Sequence, residues 1–137
     1  TAKKAVHICY GYGIEQVLLW KNTNTDWGHY NTTLPLIAKS SIDQVSVECA
    51  ASQIQLNVLD CLSNKEVMVG VIDVGTEEIE SPVLVAERIR NVLNHVGPEK
   101  LIACTDCGMV PRSRFAAAGK MKALAAGTAI VNREIDI

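Results

Sequence analysis

Three kinds of metal-binding side chain stand at the ends of short apolar runs in this chain. They are His7 and Cys9 in His-Ile-Cys, Glu48 in Val-Ser-Val-Glu-Cys, and Cys107 in Cys-Thr-Asp-Cys-Gly. Imidazole nitrogen, thiolate sulfur and carboxylate oxygen are donors that zinc accepts at about 2.0 to 2.3 Å, usually four at a time. His7 and Cys9 are two residues apart, so in a strand they project from one face about 7 Å apart along the backbone, and both reach one ion. Taken singly, each has a blander explanation. A buried cysteine is most often a small hydrophobe, a buried histidine a hydrogen-bonded core residue, and a strand-end glutamate a helix cap. Their coincidence at aligned strand ends outweighs those explanations and predicts a mononuclear Zn2+ site of His7, Cys9, Glu48 and Cys107. Cys104 and Cys107 differ in strand parity, so only one faces the ion, and Cys107, nearer the carboxyl end and followed by Gly108, is the one expected. No second Cys-x-x-Cys pair completes a four-cysteine site. Gly11 and Gly13 lack the third glycine of a dinucleotide fingerprint and read as a tight turn, while Cys49 and Cys61 read as core.

The elements that must position these residues are four apolar runs, residues 5–10, 45–49, 67–74 and 101–104, which read as strands buried on both faces. Helical segments alternate with them. The clearest covers residues 82–95, with Val83, Leu84, Ala86, Ile89, Val92 and Leu93 as its apolar set, Ser81 as N-cap, Pro82 in the first position and Gly97-Pro98 as its stop. Residues 33–39 and 56–62 read as shorter helical pieces, and residues 115–126 as an Ala-rich helix with Lys120 and Lys122 facing water. The order βαβαβαβα implies an α/β fold of parallel strands joined by right-handed crossovers. In such folds functional groups gather where the strands end at their carboxyl edge. Those ends carry His7 and Cys9, Glu48, Asp73, and Asp106 with Cys107, and the polar, aromatic segment 11–31 reads as an irregular functional loop after the first strand.

A length of 137 residues with 48% hydrophobic content suits one domain with a buried core. The net charge of −2 comes from interspersed signs, which leaves no basic run for nucleic acid. No apolar run reaches the roughly 18 to 20 residues of a membrane span. Five cysteines without regular spacing do not form a disulfide framework, so a soluble, cytoplasmic protein is expected. The chain begins at Thr1, almost directly before a strand, as a part of something longer would.

Taken in order, HIC, VSVEC, VGVIDV and CTDCGM resemble the C-terminal half of the catalytic barrel of the cobalamin-independent methionine synthases, over nearly the whole chain. Related zinc thiol alkyltransferases share a His-x-Cys and a later Cys but usually not the glutamate. The resemblance implies metal ligands at His7, Cys9, Glu48 and Cys107. It also implies a TIM-type (β/α)8 barrel of which residues 1–137, a single partial domain, supply four βα units as the C-terminal half. The missing N-terminal half, or a second copy of the chain, is then a partner, because an isolated half exposes apolar strand edges. The implied reaction is methylation of the homocysteine thiol to give methionine, with methyl-folate or a corrinoid-bound methyl as donor. In the large folate-using members the strand bearing Asp73 continues with a histidine; here Val74 and Gly75 follow. Asp73 is left as the candidate catalytic residue, orienting substrate or supporting a ligand, and Tyr10 and Tyr12, with Trp20 and Trp27, as candidates to shape the substrate pocket. Alternative readings are a zinc thiol alkyltransferase for another thiol, and a noncatalytic, barrel-completing zinc-binding fragment.

The expected chemistry follows from charge. A free thiol has a pKa of about 8.5, and its thiolate is the form that attacks carbon. Two cysteinates, one carboxylate and a neutral imidazole on a dication sum to −1, so a further thiolate is accommodated best if Glu48 leaves as the exchangeable donor.

Overall fold

The computed structural model describes residues 2–135; Thr1, whose position suggested a longer protein, lies outside them. Four strands, β1 (Ala5–Ile8), β2 (Gln44–Val47), β3 (Glu66–Ile72) and β4 (Leu101–Thr105), form one parallel sheet in the order β1-β2-β3-β4. Each crossover adds the next strand on the same side, without the reversal that marks a doubly wound sheet. The helices are α1 (Glu15–Thr23), α2 (Tyr30–Ala38), α3 (Pro82–Leu93) and α4 (Arg114–Glu134), with a 3₁₀ segment at Leu56–Leu62. The alternation read from the sequence is therefore present, with the carboxyl ends of β1, β2 and β3 drawn in by two residues and β4 extended by one. Among the described residues no helix is long and apolar enough to cross a membrane.

Pleat alternation sorts the strand residues into two faces. Val6, Val45, Val67 and Leu101 share one row and Ile8, Val47, Val69 and Ala103 the next, and this face packs with the helices. The row His7, Ser46, Met68 and Ile102 belongs to the opposite face and stays half-exposed or exposed. Burial on both faces, expected of all four strands, is thus met in the second half of β3 and not in β1 or β4, whose outer edges have no neighbouring strand among the described residues.

Two helices differ from the sequence reading. Ser81 caps α3 as expected, its hydroxyl accepting from the Leu84 amide, but the buried stripe is Val85, Ala86, Ile89 and Val92, while Val83 and Leu84 face out. In α4, Lys122 is exposed but Lys120 is fully buried, correcting the expectation that both face water. The Lys120 ammonium donates to the Glu78 carbonyl and pairs with Glu80 Oε2 at 3.0 Å, and Glu80 also neighbours Arg88. The partner carboxylate sits in the loop before α3, so nothing local in the Ala-rich segment betrays it. The stretch 11–31 is likewise not wholly irregular, since α1 forms inside it after a turn in which Gly11 takes φ +88°. That left-handed angle suits glycine, in keeping with the tight turn expected there.

Candidate metal centre

The carboxyl ends of β1 and β4 bring His7, Cys9 and Cys107 together, with one ligand atom from each lying within 4.8 Å of the others. The Sγ atoms of Cys9 and Cys107 are 3.5 Å apart and both thiols are free, so they are neighbours without a disulfide. Around a tetrahedral zinc with bonds of about 2.3 Å, two sulfurs sit about 3.7 Å apart, which matches this separation. His7 Nδ1 lies 2.9 Å from the Ser46 hydroxyl, a contact that fixes the ring and leaves Nε2 for an ion. Two sulfurs and an imidazole are the donor set a zinc-type cation prefers, so these residues fit such a group. Burial, followed by the neighbouring Cys107, pushes the Cys9 thiol up to about 11, the opposite of what a bound cation would do. Cys104, of the other strand parity, is held apart beside Ser46, and burial pushes it up to about 11 as well.

Glu48, directly after β2, lies outside the three-residue group and is completely buried. Oε1 accepts from the Tyr10 amide at 3.0 Å and from the Tyr30 hydroxyl at 3.1 Å, and Oε2 accepts from the Tyr12 hydroxyl and pairs with the Lys21 ammonium. Four donors on one carboxylate satisfy its lone pairs without any metal.

The loops bearing Glu48 and Cys107 are fastened by Asp106, also completely buried. Its Oδ1 accepts from the Cys49 and Ala50 amides at 3.0 Å each, and its Oδ2 accepts from the Ala51 amide at 2.8 Å and shares the single Tyr12 hydroxyl proton, at 3.0 Å, with Glu48. Burial raises its carboxyl to about 6 against the lowering effect of these donors. The β3–β4 register slips by one residue between Gly70 and Ile72, and the Asp106 amide bonds the Ile72 carbonyl. That bulge bends the β4 end toward Gly70, the residue whose missing side chain admits Asp106.

A family described as the catalytic domain of cobalamin-independent synthase matches residues 26–129. The chain belongs to this family. A methionine synthase of Saccharolobus islandicus is 31% identical over 98% of this chain, and one of Thermococcus kodakarensis is 35% identical over 69% of it. A solved B12-independent methionine synthase from Shewanella sp. W3-18-1, in complex with selenomethionine, superposes with a TM-score of 0.93 at 44% identity, covering 97% of this chain. The chain spans 36% of the Saccharolobus protein and 39% of the Shewanella chain.

The remaining expected residues fall around the centre. Tyr12 is buried, bridging Glu48 and Asp106. Tyr10 packs edge-on against Trp27, His29 and Tyr30 and lies tilted against Trp20. Asp73 accepts from the Gly75 amide at 2.6 Å, a turn-forming contact, and lines a cavity of about 160 Å³ together with Tyr12, Lys21, Gln53 and Thr76. Sequence reasoning missed Lys21, Tyr30 and Ser46 and gave Asp106 no role. One signal for Lys21 was available: a buried strand-end glutamate needs a cation, and Lys21 is the lone Lys or Arg in residues 11–31.

Proposed function

We propose that this domain activates the homocysteine thiol for methylation to methionine, with Zn2+ held by His7, Cys9 and Cys107 and by Glu48 as an exchangeable fourth donor. The observation that carries the reading is the convergence of one imidazole and two thiols from the two edge strands of the sheet within 4.8 Å. Family membership supports it, and so does the selenomethionine bound in the Shewanella relative, a product-like molecule. Zinc in such a donor set supplies the positive charge that keeps a thiol ionised near neutral pH.

The chain's own residues do the rest. Ser46 orients the His7 ring, and Asp106 holds the Cys107 loop against the Glu48 loop. Cys9 and Cys107 would supply electron-rich sulfur donors to the ion and Glu48 the exchangeable carboxylate, so that a substrate thiolate could be accepted in its place with the total charge of ion and donors left at −1. Asp73, beside the 160 Å³ cavity, orients the substrate, and Tyr10 and Tyr12 shape that side of the pocket. The methyl donor is methyl-folate or a corrinoid-bound methyl.

The unreversed strand order and the single helix-covered face are what one wall of a (β/α)8 barrel requires, and they support reading the chain as four of its βα units. The other half of the barrel, supplied by further sequence or by a partner, then covers the His7–Ser46–Met68–Ile102 face. The test is metal analysis and methionine formation in the full-length protein, with a panel of thiols and with methyl-folate and methylcobalamin as donors. Zinc near one equivalent, lost in Cys9→Ala and Cys107→Ala together with homocysteine methylation, is expected. Full zinc in both variants would overturn the metal assignment, and preference for another thiol would overturn the substrate.

A further inference from the structure

Helix α1 is built with its polarity reversed. Leu19 is 59% exposed and Trp20 40%, yet Lys21 is only 5% exposed and is the one fully buried residue of the helix. Half-buried Val17 and Leu18 and the packing of Trp20 on Tyr10 supply apolar contact, but the one side chain of α1 that is fully buried is a charged one. Lys21 reaches inward to pair with Glu48, whose side chain is fully buried, and its ammonium lies 3.9 Å from the centroid of the Tyr12 ring. A buried ion pair of this kind is weak evidence for stability, because desolvation of both charges offsets their attraction. An isolated buried pair is better explained by what it does to one partner.

We infer that Lys21 is a positioning residue that receives the Glu48 carboxylate whenever Glu48 is outside the metal donor set. This inference rests on the reading of Glu48 as an exchangeable ligand and supplies what that reading lacks. A carboxylate released from a dication inside a dry pocket would be a stranded charge unless a cation were already waiting there. Lys21 is that cation, and the Tyr10 amide with the Tyr12 and Tyr30 hydroxyls completes the resting cradle. The cradle is fully formed in the structure, where Glu48 stands apart from His7, Cys9 and Cys107. Lys21 thus competes with the ion for one carboxylate. It weakens the fourth bond enough for a thiol to replace it.

The competition fixes the sign of the test. In Lys21→Met the carboxylate loses its alternative partner and the site loses a repelling charge, so zinc affinity, read by chelator competition, should rise by about tenfold. X-ray absorption of the unaltered zinc protein should show an oxygen replaced by sulfur on adding homocysteine; in Lys21→Met the oxygen should stay. Lys21→Arg, which keeps the charge, should behave as the unaltered protein. A second readout needs no variant. In the 15N-lysine-labelled protein the Lys21 Nζ resonance should shift when zinc is added and return toward its metal-free position when homocysteine follows. Unchanged or weaker zinc binding in Lys21→Met, or an Nζ resonance indifferent to both additions, would overturn the role of Lys21 while leaving Glu48 as a ligand. If the unaltered protein has no oxygen donor to lose, the exchangeable-ligand reading fails first and the Lys21 inference with it.

Discussion

Gly70→Ala isolates the joint on which the centre is mounted. A Cβ at this position would lie 2.1 Å from Asp106 Oδ1 and 2.7 Å from Asp106 Cα, distances that real side chains do not tolerate. Relief requires the carboxylate to move by about 1 Å, and because Cα is also too close, rotation of the side chain alone is not enough. The four donors to Asp106 now stand at 2.8 to 3.0 Å, so a shift of that size takes at least two of them beyond hydrogen-bond range. Overpacking costs about 1–3 kcal/mol and each of two lost bonds to the buried carboxylate about 1.5 kcal/mol, giving roughly 4–6 kcal/mol in all. For a domain of this size that is a fall in Tm of roughly 12–24 °C. Cys107 follows Asp106 in the chain and moves with it, so chelator competition should also show weaker zinc binding. Gly13→Ala is the control, since a Cβ there meets nothing within 4 Å. A Gly70→Ala protein that melts within about 3 °C of the unaltered one and keeps its zinc affinity would refute the reasoning.

Three other outcomes are expected. Lys120→Met should lower stability by about 2–3 kcal/mol in thermal unfolding, because Glu80 keeps Arg88 but loses its closer partner, and the Lys120→Met/Glu80→Gln double variant should recover part of the loss. Ser113 donates through its hydroxyl and amide to Glu77, and these bonds hold the Glu77 carboxyl below its usual 4.5. A carboxyl lowered by folding contributes stability above its unfolded pKa and loses it as pH falls through the folded value. The first-turn amides of α4 should therefore lose hydrogen-exchange protection from about pH 5 downward, and Glu77→Gln should abolish that pH dependence. Finally, Cys104→Ser should retain the full zinc content by elemental analysis while Cys107→Ser loses it, which checks the parity argument directly.

The sequence was most readable where a pattern is local. All four strands and the Ser81-Pro82 start of α3 followed from alternation and capping, which depend on near neighbours. Reading failed where a residue's role is set by a partner far along the chain. Lys120 looks solvent-facing because its segment is Ala-rich, yet its carboxylate is 40 positions upstream. Lys21 sits among exposed apolar residues in a helix without a clear apolar stripe, so neither α1 nor its inward lysine shows in periodicity. Asp106 was visible as a strand end, but its three amide donors come from residues 49–51, brought near by the bulge in β3. Glu48 was legible as a candidate donor, while the cradle that turns it away from the other three was not.

The approach of Cys9 and Cys107 to 3.5 Å has a practical side. They stand at the ends of the first and last strands, 98 positions apart, and a sulfur–sulfur bond needs only about 1.5 Å of further movement. Protein stripped of its cation and handled in air can therefore cross-link itself and lose both sulfur donors at once. Preparations kept under reductant and charged with zinc before exposure to oxygen should keep the thiols apart from that fate, and two batches of identical sequence can differ in competence through their handling alone.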